Sequence, residues 1–170
     1  MCSKNGESFS VIKDRVLKKE ELENLQNVLL KSREFPMYYI DSVAFDNENK
    51  LGNYYHVHTV FDDFEWLGNR RVVEPLLRVI NPKALIKIKI NFYPRTDKIL
   101  KHAYHTDQSF DCNSALFFVN DNDGYTYLKR EAKRVESKAN RMLYFNSAYP
   151  HYSTTCTNRN IRCTININYF

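Results

Sequence analysis

The sequence has little glycine and no long apolar segment. Only 4 of its 170 residues are glycine, whereas 12 are tyrosine and 11 are phenylalanine. Aromatic residues fit pleated surfaces, so this balance favours a sheet-rich interior. No stretch approaches the roughly 20 apolar residues of a membrane-spanning helix, and the N-terminal sequence MCSKNGESFS lacks the apolar segment of a signal peptide. We therefore expect a cytoplasmic protein with no membrane partner.

The cysteines form neither a zinc-binding nor a disulfide pattern. No two of them are separated by two residues, the spacing of a CxxC pair; they are Cys2, Cys112, Cys156 and Cys163. We expect four free thiols in a reducing compartment.

Length and charge limit the organisation and the partners. A chain of 170 residues without repeats or linkers is long enough for one sizeable core and too short for two, so we expect a single domain over residues 1–170. The net charge of +5 mildly favours anionic partners. It falls short of the basic stripe of a dedicated nucleic-acid binder, and no basic-aromatic lid segment is evident, although a nucleic-acid substrate is not excluded.

Hydrophobic periodicity predicts helices first and strands afterwards. Leucines and a valine recur at spacings of three and four in residues 18–31, which predicts a helix that covers a sheet. A mostly helical stretch is expected from Asp62 to Ile80, interrupted at Gly68, with Pro75 in the first turn of its second part. An edge strand is expected near residues 9–12. Further strands are expected at 37–45, 54–60, 84–93, 114–119, 125–128, 141–145 and 161–170, with turns at 47–50 and 120–124.

Two strands alternate clearly between apolar and polar residues. In residues 84–93, isoleucines and Phe92 line one face, while lysines, Asn91 and Tyr93 line the other. In the last strand, Arg162, Thr164, Asn166 and Asn168 share a face opposite to apolar residues. This order of elements predicts an α+β fold, a β-sandwich or jelly roll with the N-terminal helices packed on one face.

The main candidate for chemistry is a group of two histidines and one aspartate. If residues 104–107 are extended, His105 and Asp107 point to the same side and Thr106 points away. His151, which lies 44 residues after Asp107, is the best candidate for a third ligand. Two imidazoles and one carboxylate form the facial triad of non-haem Fe(II) oxygenases.

A lone His-x-Asp sequence is common, so the hypothesis depends on what accompanies it. Arg162 follows His151 on the last strand, and Thr164 faces the same way. A guanidinium can hold the far carboxylate of a metal-chelating diacid through two parallel hydrogen bonds. His56 and His58 also have ligand spacing, but no carboxylate accompanies them, and we interpret them as histidines on the sheet surface.

Several motifs after residue 92 together resemble a known family. They are His105-Thr106-Asp107, the turn at 123–126, Leu143-Tyr144-Phe145-Asn146, the run at 149–153, and Arg162-Cys163-Thr164. They resemble the 2-oxoglutarate- and Fe(II)-dependent dioxygenases, most closely the prolyl-4-hydroxylase-like branch. Two departures concern loops: the family often has two glycines where this chain has Asp123-Gly124, and 44 residues is a short spacing between Asp107 and His151.

The resemblance implies a double-stranded β-helix core, with iron held by His105, Asp107 and His151. It implies that 2-oxoglutarate binds that iron and places its distal carboxylate on Arg162 and Thr164. Tyr93 resembles the pocket tyrosine of the family, and Asn91, on the same face, is assigned to the same pocket.

The implied activity is hydroxylation of a substrate C–H bond with O2, which gives succinate and CO2 as coproducts. A peptidyl-prolyl or other protein side chain is the expected substrate. A free amino acid, a small metabolite or a nucleobase are alternatives, because loops shape the entrance. Other classes of protein also stay open: a non-catalytic jelly-roll binding module, and a metal-dependent isomerase or hydrolase. Oligomeric state is not predicted.

Overall fold

A computed structural model of the protein describes residues 10–43 and 53–170. Within these ranges it contains two α-helices, α1 (Lys19–Gln26) and α2 (Glu74–Ile80), with one π-helical turn (Asn27–Lys31) and one 3-10 turn (Arg70–Val72). Its strands are β1 (Val11–Asp14), β2 (Tyr38–Ile40), β3 (Tyr55–Asp62), β4 (Glu65–Trp66), β5 (Leu85–Pro94), β6 (Asn113–Phe118), β7 (Tyr125–Leu128), β8 (Lys133–Glu136), β9 (Arg141–Asn146), β10 (His151–Ser153) and β11 (Ile161–Tyr169).

The strands form two sheets. The larger sheet has the order β1-β9-β6-β11-β5-β3-β2, with β4 added beside β3, and the smaller sheet has the order β10-β7-β8. All pairs between these strands are antiparallel. In the centre of the larger sheet β11 pairs with β5, and Arg162, Thr164 and Asn166 lie opposite Tyr93, Asn91 and Lys89.

The helices cover the outer face of the larger sheet. Leu25 and Leu29 of the first helical segment and Leu76 of α2 are buried in the same cluster as Ile88, Ile90, Ile165 and Ile167 of the two central strands. Burial of such side chains contributes roughly 1.5–3 kcal/mol each. The alternation of β5 and β11 therefore directs their apolar faces to the helices and their polar faces into the space between the sheets.

The space between the sheets is apolar at one end and polar at the other. Six buried apolar residues fill the first end: Leu116, Phe118, Leu128, Val135, Leu143 and Phe145. The polar faces of β5 and β11 line a cavity of about 520 Å³ at the second end. This is a double-stranded β-helix (jelly-roll) core with helices on one face, so the predicted α+β fold class is confirmed.

Several predicted elements are confirmed within one or two residues. The predicted helix at 18–31 is α1 together with the π-helical turn that continues it, and Pro75 lies in the first turn of α2. The strands expected at 84–93, 114–119, 125–128, 141–145 and 161–170 correspond to β5, β6, β7, β9 and β11. The expected N-terminal edge strand is β1, at the end of the larger sheet.

The helical prediction from Asp62 to Gly68 is wrong. Residues 55–66 form a hairpin of β3 and β4, in which Asp62 pairs with Glu65 across the two-residue turn Asp63-Phe64. Both turn residues have positive φ, 48° and 62°. That backbone matches the twist of a two-residue hairpin, which normally uses Asn-Gly or Asp-Gly. The hairpin was missed because Phe64 stands where glycine is usual.

Two strand predictions also need correction. The strand expected at 37–45 is limited to Tyr38–Ile40, and residues 44 and 45, like the predicted turn at 47–50, lie outside the described residues. The segment of His105 and Asp107 is not a regular strand. It runs beside β10 with isolated bridges at Lys101 and His105.

Two further observations concern the cysteines and the helices. Cys112, Cys156 and Cys163 are free and buried, as expected, whereas Cys2 lies outside the described residues. In the described part of the chain, no helix has both the length and the apolar character needed to cross a bilayer.

Candidate metal centre and adjoining pocket

His105, Asp107 and His151 converge at the polar end of the cavity. One ligand atom from each of the three lies within 4.8 Å of the others. The two imidazole rings are 4.5 Å apart at their centroids, and His151 Nε2 lies 3.6 Å from Asp107 Oδ1. Among the described residues this is the group of histidine, cysteine and acidic side chains that could hold a metal ion.

Main-chain hydrogen bonds hold the two segments in register. The amide of His105 donates to the carbonyl of His151, and the amide of His151 donates back, both at 2.9 Å. The amide of Asp107 donates to the carbonyl of Ser147, also at 2.9 Å. His105 and Asp107 therefore share one side of an extended segment, as expected, although this segment pairs with its neighbour only through isolated hydrogen bonds.

Each histidine ring is oriented by a carbonyl two residues earlier. His105 Nδ1 lies 3.2 Å from the Ala103 carbonyl, and His151 Nδ1 lies 3.0 Å from the Tyr149 carbonyl. A carbonyl accepts only, so Nδ1 carries a proton, and the neutral form of each ring then has its lone pair on Nε2. Phe145 packs edge-on against the His151 ring at 4.8 Å. Metal-binding histidines are commonly oriented in this way.

The carboxylate of Asp107 is held by hydroxyl and amide donors. Ser114 Oγ donates to Asp107 Oδ2 at 2.6 Å, and Asn168 Nδ2 lies 3.2 Å from the same oxygen. Burial acts to raise the pKa of Asp107, but His151, Ser114 and Asn166 outweigh it and the pKa is lowered. The pKa of His105 is lowered, first by burial and then by His151. Near neutral pH the group therefore offers a carboxylate and a neutral imidazole of His105.

Arg162 is fully buried and faces the same cavity. Its Nε donates to Ser137 Oγ at 2.9 Å, Nη2 donates to Thr126 Oγ1 at 2.9 Å, and Nη1 donates to the Thr154 carbonyl at 3.3 Å. No carboxylate among the described residues pairs with it. Burial lowers the pKa of Arg162, because a charge removed from water without a counter-ion is destabilised.

Glycine is required beside this guanidinium. A Cβ atom on Gly124 would lie 2.6 Å from Arg162 Cδ and 2.7 Å from the Thr155 carbonyl oxygen. Real Cβ atoms do not approach so closely, and the carbonyl cannot move as a flexible side chain does. Gly124 belongs to the turn at 123–126 that carried part of the resemblance.

The other predicted pocket residues line the cavity. Thr164 and Asn91 lie opposite each other on β11 and β5 and both face it. Tyr93 forms stacked contacts with Tyr55, at 5.6 Å between ring centroids, and with His102, at 5.2 Å. Burial raises the pKa of Tyr93, which keeps its hydroxyl protonated near neutral pH.

Three features of the site were not anticipated from the sequence. The first is the set of hydroxyls around Arg162 and Asp107, which come from Ser114, Thr126 and Ser137. The second is His102, buried with Nδ1 2.7 Å from Ser153 Oγ. The third is Lys89, whose side chain lines the cavity. The alternation of β5 placed Lys89 on the polar face, but no local pattern connects the other residues to the site.

His56 and His58 lie outside this group, but the surface location expected for His58 is wrong. His58 is buried against Phe35, with ring centroids 4.7 Å apart. Its Nδ1 lies 3.0 Å from the Pro36 carbonyl. Because His58 pairs with Ile90 in the neighbouring strand, its side chain faces the helices rather than the cavity.

Similar folds occur in solved structures of oxygenases. A prolyl hydroxylase from Trichoplax adhaerens, in complex with a peptide fragment of a hypoxia inducible factor, matches 95% of this chain and 83% of its own, with a TM-score of 0.70 and 16% identity. A prolyl-4-hydroxylase from Pseudomonas putida matches 95% and 92%, with a TM-score of 0.63 and 11% identity. The viral collagen prolyl hydroxylase of Paramecium Bursaria Chlorella virus-1, in complex with 2OG, matches 95% and 95%, with a TM-score of 0.64 and 10% identity.

These matches define the class of fold. Neither a protein-family model nor a curated protein matches the sequence. The fold is that of the 2-oxoglutarate–Fe(II) oxygenases in a prolyl-4-hydroxylase-like form, and the resemblance found in the motifs is confirmed at this level.

Proposed function

We propose that the protein is a non-haem Fe(II), 2-oxoglutarate-dependent dioxygenase that hydroxylates a substrate C–H bond. One observation carries this proposal. A fully buried guanidinium, Arg162, without a carboxylate partner among the described residues, faces the same cavity as the group of two histidines and one aspartate. A metal-dependent isomerase or hydrolase on the same scaffold has no need of such a cation.

The donor set fits Fe(II). His105 Nε2, His151 Nε2 and a carboxylate oxygen of Asp107 are the three ligands that we assign, and imidazole with carboxylate suits divalent iron. Because carbonyls hold both Nδ1 protons, the neutral form of each ring presents its lone pair on Nε2. Hydrogen bonds from Ser114 and Asn168 to Oδ2 leave Oδ1 of Asp107 for a metal ion.

The opposite wall fits the distal carboxylate of 2-oxoglutarate. We assign that carboxylate to Arg162 and Thr164, with Tyr93 and Asn91 as further walls of the cofactor pocket. The Arg162 guanidinium is held by hydrogen bonds to Ser137, Thr126 and the Thr154 carbonyl. These three hydrogen bonds orient the guanidinium, and its positive charge attracts the distal carboxylate of the diacid.

The chain itself contributes binding, orientation and exclusion of water. When bound, Fe(II) and 2-oxoglutarate supply the oxidising chemistry, in which one oxygen atom of O2 enters the substrate as hydroxyl and 2-oxoglutarate becomes succinate and CO2. His105, Asp107 and His151 hold the metal on one side of the cavity. Arg162 fixes the orientation of the diacid, and the buried rings around Tyr93 exclude water from it.

A peptidyl-prolyl or other protein side chain is our first choice of substrate. The prolyl-4-hydroxylase-like fold supports it, and the similar Trichoplax protein was solved with a peptide. A free amino acid, a small metabolite and a nucleobase are the alternatives. One catalytic domain over residues 1–170 and a cytoplasmic location also belong to the proposal; the three buried free cysteines support the second.

Turnover of 2-oxoglutarate tests the proposal. Purified protein given Fe(II), O2 and 2-oxoglutarate should release succinate slowly without added substrate, and omission of iron should stop the release.

Arg162→Ala should weaken 2-oxoglutarate binding by about 2–5 kcal/mol because a carboxylate is left unpaired. Circular dichroism checks that the variant folds. Affinity for 2-oxoglutarate that is unchanged in folded Arg162→Ala would show that the carboxylate binds elsewhere, and a protein that binds no 2-oxoglutarate would be a binding module of another kind.

A further inference from the structure

The cavity contains a second cation, Lys89, which the proposed cofactor does not use. Its side chain lines the cavity and lies on the polar face of β5, opposite Asn166 of β11. Tyr93, which lies opposite Arg162, is four residues further along β5. Four residues of a strand span about 13 Å. The two cations therefore stand at different levels of the same cavity.

Lys89 lies near the candidate metal ligands, because it stands opposite Asn166 on β11 and the Asn166 side chain is hydrogen-bonded to Asp107. Burial lowers the pKa of Lys89 most, the neighbouring Lys87 lowers it further, and Asp62 and Asp107 raise it. In turn, Lys89 is among the groups that lower the pKa of His105. These mutual effects mean that the ammonium group is within electrostatic reach of both His105 and Asp107.

The neighbouring carboxylates are engaged elsewhere. Asp62 pairs with Lys87 at 2.6 Å, and Asp107 accepts hydrogen bonds from Ser114 and Asn168. Asp41 also lines the cavity but is exposed. Among the described residues, no carboxylate forms an ion pair with Lys89.

The charge of Lys89 is not balanced by the other charges of the proposed complex. The dication and the Arg162 guanidinium carry three positive charges, which the Asp107 carboxylate and the two carboxylates of 2-oxoglutarate balance. Lys89 adds a positive charge, and the further carboxylate that lines the cavity in the described part of the chain, Asp41, is exposed and forms no ion pair with it. Lys89 is half-buried, and a charge partly removed from water attracts an anion more strongly than it would at the surface.

We propose that the substrate presents a carboxylate to Lys89, beside the atom that is hydroxylated. This inference rests on the proposed oxygenase function and narrows its substrate class. A carboxylate is favoured over a phosphate because one ammonium matches one negative charge, whereas phosphates are normally held by several donors. The carboxylate could belong to a free amino acid or to an acidic residue of a peptide.

Acetate provides a probe that does not require the substrate to be known. The protein is loaded with Mn(II) and 2-oxoglutarate without O2, and the relaxation of acetate methyl protons by the bound Mn(II) is measured, with acetamide as the neutral probe. Lys89→Met should weaken acetate binding by about tenfold or more, as expected for the loss of a charged hydrogen bond. Lys87→Met is the matched control, because Lys87 lies on the same face of β5 but pairs with Asp62; it should bind acetate as the unaltered protein does.

Four outcomes would overturn the inference. In the first, Lys89→Met leaves acetate binding unchanged, and in the second, acetamide binds as tightly as acetate. In the third, Lys89→Met loses affinity for acetate and for 2-oxoglutarate equally. In the fourth, inorganic phosphate binds more tightly than acetate and its binding depends on Lys89. Equal losses would assign Lys89 to the cofactor. Absence of any 2-oxoglutarate binding would overturn the oxygenase function as well, so the two failures are distinguishable.

Two further experiments identify the kind of molecule that carries the carboxylate. Succinate release is measured with free amino acids against their amides, and with acetylated, amidated dipeptides that contain aspartate or glutamate against those with asparagine or glutamine. Stimulation by free acids assigns a small-molecule substrate, and stimulation by acidic dipeptides assigns a protein substrate. Preference for the neutral member of both pairs would contradict the acetate result and overturn the inference.

Discussion

The main chains of His105 and His151 exchange two hydrogen bonds, each 2.9 Å between nitrogen and oxygen. The two histidines are 46 residues apart in sequence, and this main-chain pairing holds their Cα atoms next to each other. Each ring is then oriented by a carbonyl two residues earlier. These contacts are all to main-chain carbonyls and leave Nε2 of both rings outside the hydrogen bonds that orient them, so they restrict where the two imidazoles can lie without using the atoms assigned to the metal.

Removal of one ligand should abolish tight metal binding. His105→Ala and Asp107→Ala each leave two of the three ligands, so we expect loss of Mn(II) binding in a titration and loss of iron-dependent succinate release. His56→Ala is the control, because His56 lies outside the cluster and should leave both unchanged. Retention of metal affinity in the Asp107 variant would contradict the assigned ligand set.

Two buried serines should separate metal binding from cofactor binding. Ser114 donates to Asp107 at 2.6 Å, so Ser114→Ala should weaken Mn(II) affinity by about 10–100-fold, as is typical for outer partners of metal ligands. Ser137 accepts from Arg162 Nε, so Ser137→Ala should weaken 2-oxoglutarate binding and spare the metal. The two titrations are run on both variants. A Ser137 variant that loses metal affinity while it keeps 2-oxoglutarate affinity would reverse the assignment.

A single methyl group at Gly124 should disturb the cofactor pocket. Gly124→Ala places Cβ against Arg162 Cδ and the Thr155 carbonyl, so the guanidinium has to shift. We expect weaker 2-oxoglutarate binding with nearly unchanged Mn(II) affinity. Gly68→Ala is the matched control, because its Cβ would clash with the His58 ring, away from the cavity. It should lower stability and leave 2-oxoglutarate affinity intact; similar cofactor losses in both variants would point to general destabilisation instead.

The polar cavity wall was predictable because strand alternation is a local property of the sequence. Once β11 is recognised as a strand, Arg162, Thr164 and Asn166 have to share a face. The helices cover the opposite, apolar face, so the polar face is left for the cavity. The hydroxyls of Thr126 and Ser137 were not predictable, because Thr126 reaches Arg162 from β7 of the smaller sheet and Ser137 from the residue that follows β8. Their role depends on how the two sheets pack, which no short sequence window reports.

The hairpin at Asp63-Phe64 illustrates the opposite limit. Its neighbours read as a helix start because an acidic pair precedes apolar residues, whereas the positive φ of both turn residues has no signature without glycine or asparagine. His102 is similar. Its burial next to Tyr93 comes from the path of an irregular segment beside β10, and irregular segments lack a period from which burial could be inferred.

The buried His102 should make the metal-free protein sensitive to acid. Burial lowers its pKa from an ordinary 6.5 to about 3. Between these values the unfolded chain binds a proton that the folded chain does not, so the free energy of unfolding falls as pH drops below about 6.5. One group contributes a slope of about 1.4 kcal/mol per pH unit in that window, and its contribution is fully retained above it.

Urea unfolding in a chelator at pH 7, 6 and 5 measures the slope. His102→Gln should flatten it by about that amount. Parallel pH profiles for His102→Gln and the unaltered protein would mean that His102 accepts its proton in the folded state.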